Sequence, residues 1–226
     1  MILLSLARYF ADKNIKYDTR RCPDEVKGYL NYDGANFIFS EKNNESTICK
    51  KLILILESPH KEEYKGENIR PAVGKTGENI KKCIINFAVL LQYHYSSFKN
   101  GCYEVWVVNA IDYQASLGLK TELYRTVVFQ LLWYCNGRKT FQERIKKIVS
   151  TDDILINSCT KGNTIDKTIA EEIISKVKCE SIPFEKIKTK NSEIDLRDLV
   201  DDAIYDCNLK NEYIRGSHPI KWDRMI

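Results

Sequence analysis

No apolar run in this chain is long enough to cross a membrane. The one early apolar stretch, Met1 to Leu6, is followed by Arg8 and Asp12 before it reaches the length of a signal core or a span. The expectation is a cytoplasmic protein with no membrane partner. The eight cysteines include no Cys-x-x-Cys pair, and only His60, His94 and His218 could assist them. Zinc sites favour close ligand pairs, and a chain of this size without an export signal is a poor candidate for a disulfide framework. The cysteines are therefore expected as thiols, and no metal is expected. A large charge excess is missing too: 35 basic against 31 acidic residues leave +4, which permits a nucleic-acid partner without demanding one. Internal repeats and low-complexity linkers are absent.

What is present is an ordinary globular composition. The chain has 226 residues, 43% of them hydrophobic and 29% charged, enough for one compact α/β domain over residues 1–226. Residues 1–45 read as an N-terminal extension with helical spacing from Ile2 to Lys13 and a short strand from Ala35 to Phe39 after the Asp33-Gly34 turn. Lys51 to Leu56 is an apolar run bounded by charge and Pro59, which suits a strand buried on both faces of a parallel sheet. A helix from Gly77 to Tyr95 and a second buried strand, Glu104 to Val108, complete a βαβ unit that ends at Asn109. Further helices are expected at Thr121 to Tyr134, Phe141 to Val149, Ile165 to Val177 and Ser192 to Cys207, with strands at Asp153 to Asn157 and near Tyr213. Lys186, Lys188 and Lys190 would share one face if their stretch is extended.

Ligands of open parallel sheets bind beyond the carboxyl ends of the strands. Three polar clusters fall there: Glu57-Ser-Pro-His60, Asn109-Ala-Ile-Asp-Tyr-Gln114 and Gly216-Ser-His-Pro219. Gly74-Lys-Thr76 suggests a phosphate-binding loop, but Ile69 stands where that motif needs its first glycine and no strand leads directly into it.

The stretch Leu56-Glu-Ser-Pro-His60 followed by Arg70-Pro-Ala-Val-Gly-Lys-Thr-Gly77 resembles the opening motif of the uracil-DNA glycosylase superfamily, most closely its iron-sulfur branch. Val105-Trp-Val-Val-Asn109 is similar to that family's second strand, and Gly216-Ser-His-Pro219 to its final loop. The resemblance implies a three-layer α/β/α sandwich with a central, mostly parallel sheet. It also implies a DNA glycosylase that flips out a pyrimidine, cuts its N-glycosidic bond and leaves an abasic site. Such a bond breaks with positive charge on the sugar and negative charge on the base, so the site needs an anion near one and a donor near the other.

On this resemblance Asn109 reads the base edge, His218 bonds the base oxygen, and Asp112, with Glu57 second, supplies the carboxylate. Ser58, Pro59, His60, Ala72, Gly74, Tyr113 and Ser217 are expected around the base. Ser58 stands where many relatives carry the water-activating aspartate or asparagine. Tyr113 stands where the iron-sulfur branch has a cluster cysteine, and that branch's N-terminal cysteine pair is missing, so neither a cluster nor any other cofactor is expected. Ala72 replaces an aromatic wall, which points to a larger base such as a hypermodified pyrimidine and would suit defence against viruses with modified DNA. Lys210, Arg215, Lys221 and Arg224 are expected to face DNA phosphates, with Trp222 stacking on nucleic acid or anchoring the C-terminal segment and Ile220 as a wedge. Two other readings stay open: a non-catalytic reader of modified nucleic acid, and an N-glycoside hydrolase acting on free nucleotides.

Overall fold

The computed structural model describes residues 2–42, 48–117, 121–163, 165–177, 187 and 195–224. The alternating lysines 186, 188 and 190 lie outside them. The sheet is built around the apolar run found in the sequence. Strand β3 (Lys50–Leu56) is buried at every position from Leu52 onward and pairs in parallel with β4 (Gly101–Asn109) on one side and β5 (Ile154–Asn157) on the other. Strand β6 (Glu212–Arg215) extends the parallel set beyond β5. A hairpin of β1 (Glu25–Tyr32) and β2 (Phe37–Ser40) adds antiparallel strands at the β4 side, giving the order β2-β1-β4-β3-β5-β6.

Alternating side chains of β3 divide the core into two. Ile53 and Ile55 face a cluster built from α1 (Ile2–Ala11), α3 (Thr121–Leu132), α4 (Arg138–Ile148), α5 (Lys167–Lys176) and α6 (Leu196–Tyr205). Leu52, Leu54 and Leu56 face α2 (Lys75–Tyr95) and the C-terminal turn Pro219–Arg224. Helices thus cover both faces, as strands buried on both faces require. Between α3 and α4 the chain continues through a π-helical turn, Trp133–Gly137. A Cβ on Gly137 would lie 2.3 Å from Ile111 Cδ1, so only glycine lets the turn pack this closely.

Three expectations need correction. Strand β1 was not expected, because Glu-Val-Lys-Gly-Tyr-Leu-Asn-Tyr carries few strongly apolar residues and buries only Gly28 and Leu30. The cysteines are not all thiols: Cys49 and Cys102 are bonded. Lys50 pairs with Tyr103 across β3 and β4, so the preceding residues, Cys49 and Cys102, fall side by side. Trp222 is not a surface for nucleic acid. It is 1% exposed, stacks on Phe87 at 4.1 Å and donates its indole N–H to the Ser217 carbonyl at 3.0 Å.

Trp222 therefore anchors the C-terminal turn to α2 and holds the loop that carries His218. Trp222→Ala should lower stability by about 3–5 kcal/mol, the usual range for emptying a buried indole site, measured as a shift of the denaturant midpoint at unchanged slope.

Candidate functional site

The parallel strands run β4-β3-β5-β6, so connections leave β3 toward one side of the sheet and β5 toward the other. Such a reversal opens a crevice beyond the carboxyl ends of the two strands. Glu57 emerges there from β3 and is 1% exposed. A buried carboxylate must be paired. Arg125 of α3 clasps it at two points, Nε to Oε1 at 2.5 Å and Nη2 to Oε2 at 2.7 Å, and the Thr160 hydroxyl donates to Oε2. Arg125 also reaches Thr160 Oγ1 at 3.0 Å and Asn163 Oδ1 at 3.4 Å. Thr126 closes α3 onto the same loop, accepting from the Asn163 N–H at 2.8 Å. One carboxylate therefore fixes β3, α3 and the loop after β5 together.

Two histidines lie within the field of Arg125. His218, beyond β6, is half-buried, and its Nδ1 accepts the Ile220 N–H at 3.2 Å. That bond leaves Nε2 to carry the proton of the neutral ring. Burial, reinforced by Arg125 and Lys221, pulls the His218 pKa down to about 3, so the imidazole is a neutral donor at pH 7. Burial also lowers the pKa of His60, whose Nδ1 accepts the Glu62 N–H at 3.3 Å. The hydroxyls of Ser58 and Ser158 are buried without partners. Gly216 permits the close approach of the last loop, since a Cβ there would lie 2.7 Å from Ile156 Cγ2 and 3.4 Å from Ser158 Oγ.

Asn109 ends β4 and is 1% exposed. Its Nδ2 faces Cys22 Sγ at 3.9 Å, its Oδ1 has no partner, and its carbonyl accepts from Arg144 Nη2 at 2.7 Å. Asp112 is also buried and pairs with Arg21, with Arg144 Nε 3.8 Å away. Arg144 in turn binds Asp24 at 2.5 Å. Asp112 therefore belongs to a mixed charge cluster under the N-terminal segment, while Glu57 belongs to the crevice. Neither expected carboxylate is a free base. Tyr113 is half-buried against the first core cluster, and Pro59 is buried.

Glu63 is a residue that sequence reasoning passed over. Buried within a short 3-10 turn, Lys61–Tyr64, it accepts the His60 N–H at 2.8 Å and the Ala72 N–H at 2.6 Å, joining the two stretches that carry the opening motif. Ala72 is itself buried and adopts a left-handed backbone, φ 48°. With Val73, Gly74, Lys27, Arg70 and Lys81 it borders a cavity of about 270 Å³ at the start of α2. Arg125, Thr160 and Cys22 were also passed over. Arg125 left one signal, a lone cation in the otherwise uncharged Tyr124–Phe129 stretch of α3.

Of the residues expected to face DNA, Lys210 and Lys221 are exposed. Arg215 is engaged by Asp195, Asp198 and Asp201, and the side chain of Arg224 lies outside the described residues. Ile220 is 47% exposed beside the His218 loop. Among the described residues no group of three or more His, Cys, Asp or Glu is placed to hold a metal ion. No family model, curated protein or solved structure matches the chain.

Burial pushes the Glu63 carboxyl from 4.5 up to about 7, against the opposing pull of the His60 and Ala72 N–H groups and of Lys27. A raised folded-state pKa favours the protonated native protein. Its contribution to stability is full below pH 4.5 and is lost as pH rises through about 7. Urea titrations across this window should show that decline, and Glu63→Gln should flatten it. An unchanged slope in the folded variant would mean that Glu63 does not titrate there.

Proposed function

We propose that the protein is a DNA glycosylase of the uracil-DNA glycosylase type. In this reading it extrudes a pyrimidine, with a bulky modified one as the favoured substrate, and hydrolyses its N-glycosidic bond. The observation that carries the reading is His218: a neutral imidazole with Nδ1 occupied, at the carboxyl edge of the sheet, beside a crevice that already holds a fixed carboxylate. A departing base needs a donor for the oxygen on which negative charge grows, and a neutral imidazole can polarise that oxygen without giving up its proton.

Asn109 is the group for the base edge, since its buried Oδ1 lacks any partner and a buried polar atom left open in this way fits a ligand's N–H. Glu57, held by Arg125, acts as a fixed negative charge toward the sugar, and Asp112, paired with Arg21 in the neighbouring charge cluster, is the second carboxylate. Exposed Lys210 and Lys221 supply backbone contacts, and the reaction runs without a cofactor.

The test is incubation with oligonucleotides carrying uracil, normal bases or hypermodified pyrimidines, followed by alkaline cleavage at abasic sites. Wild-type protein should cut at least one modified strand. His218→Ala should lower turnover by about 10²–10³-fold, the cost of removing one such donor, with little change in DNA binding. DNA binding without abasic sites would favour the non-catalytic reader. Base release from free nucleotides alone would favour the nucleotide hydrolase.

A further inference from the structure

The segment that covers Asn109 is held differently from the rest of the fold. Residues 18–23 have no regular structure and run from the end of the α1 region into β1. Their one fully buried side chain is Cys22, 1% exposed, set against the Asn109 amide. Everything else that holds them is polar. The Asp18 N–H donates to Gln114 Oε1 at 2.7 Å, and the Cys22 N–H to the Asp112 carbonyl at 2.7 Å. Arg20 donates to the carbonyls of Tyr64 at 3.0 Å and Gly66 at 3.3 Å, and Arg21 pairs with Asp112. A strap fastened by hydrogen bonds with so little apolar burial opens more readily than the strands beneath it.

Beneath the strap lie the two groups that the glycosylase reading needs. Asn109 Oδ1 is buried and unpartnered, and Asp112 is neutralised by Arg21. The outer surface of the strap carries two guanidinium groups, Arg20 and Arg21, whose side chains are 46% and 56% exposed; Arg20 also pairs with Asp18 within the strap at 2.7 Å.

We propose that residues 18–23 are a displaceable lid over the buried Asn109 amide and that a nucleic-acid backbone opens it by drawing Arg20 and Arg21 away from their internal partners. Phosphates offer both guanidinium groups charge-assisted bonds of the kind they make internally. The lift removes Cys22 from the amide and frees Asp112 in the same movement. The lid then ties access to the presence of DNA. This inference rests on the glycosylase reading for the role of Asn109, but the movement can be measured without any turnover.

The experiment measures alkylation of Cys22 by N-ethylmaleimide in the intact protein, read by peptide mass spectrometry, with buried Cys83 as the internal reference. It is run with and without a short single-stranded DNA oligonucleotide at low salt, and binding is followed by fluorescence anisotropy in the same samples. The oligonucleotide should raise Cys22 labelling relative to Cys83 by about tenfold, the scale of one lost charge-assisted hydrogen bond. Arg21→Gln should raise it similarly without DNA and blunt the further response. Should Arg21→Gln not fold, Arg20→Gln removes the bonds to the Tyr64 and Gly66 carbonyls, leaves the Asp112 pair in place and carries the same expectation. Binding without faster Cys22 labelling overturns the lid and leaves the glycosylase reading standing. No binding at low salt overturns both.

Discussion

The ion pair between Glu57 and Arg125 is the contact on which the rest of the site depends. Glu57 is 1% exposed at the end of the central strand, where an unpaired carboxylate would be strongly unfavourable. Burying such a pair is not itself a large gain. Removing one partner is costly, about 3–5 kcal/mol, because the other charge stays behind. The pair thus acts as a constraint more than as a source of stability: α3 and the Thr160–Asn163 loop must both reach the end of β3 for the charge to be satisfied. Once they do, a guanidinium sits beside two histidines and helps burial keep both rings neutral.

What could be read from the sequence follows what burial imposes on it. Strands β3 and β4 are buried on both faces, so they appear as unbroken apolar runs, and the helix between them keeps a 3.6-residue stripe. From those two runs the βαβ unit and the location of the polar clusters follow directly. Strand β1 left no such mark, because it is mostly half-buried and interrupted by Gly28, which a side chain could not replace without meeting Phe39. The Cys49–Cys102 bond depends on strand register, which no spacing in a single sequence reveals. Trp222 illustrates the opposite error. Its basic neighbours suggested a surface role, but the aromatic body goes to the nearest apolar surface, the Phe87 side of α2.

The candidate site was legible as residue types and not as pairings. Asn109, Glu57, Asp112 and His218 were recognisable from their places after strands, yet each owes its character to a residue far away in sequence. Arg125 is 68 positions from Glu57, and Arg21 is 91 from Asp112. Those partners decide whether a carboxylate is a base or a fixed charge. Glu63 shows the same dependence in part: its bond to the His60 N–H is local, while its bond to the Ala72 N–H, which joins the two halves of the motif, depends on the approach of a separate segment.

Charge in this protein is largely spent internally. Arg125, Arg144, Arg197 and Arg215 all face aspartate or glutamate, so the net +4 says little about which cations a polyanion could recruit. Exposure separates these pairs: Arg20 and Arg21 also face aspartates but keep their guanidinium groups partly in water, and a charge in that position can change partners without first being drawn out of the core. On the glycosylase reading, an amide and a carboxylate that were always open would be accessible to every passing solute. Covering them with a segment that is weakly held and cationic outside confines that exposure to encounters with a polyanion, which is the class of molecule the glycosylase reading requires.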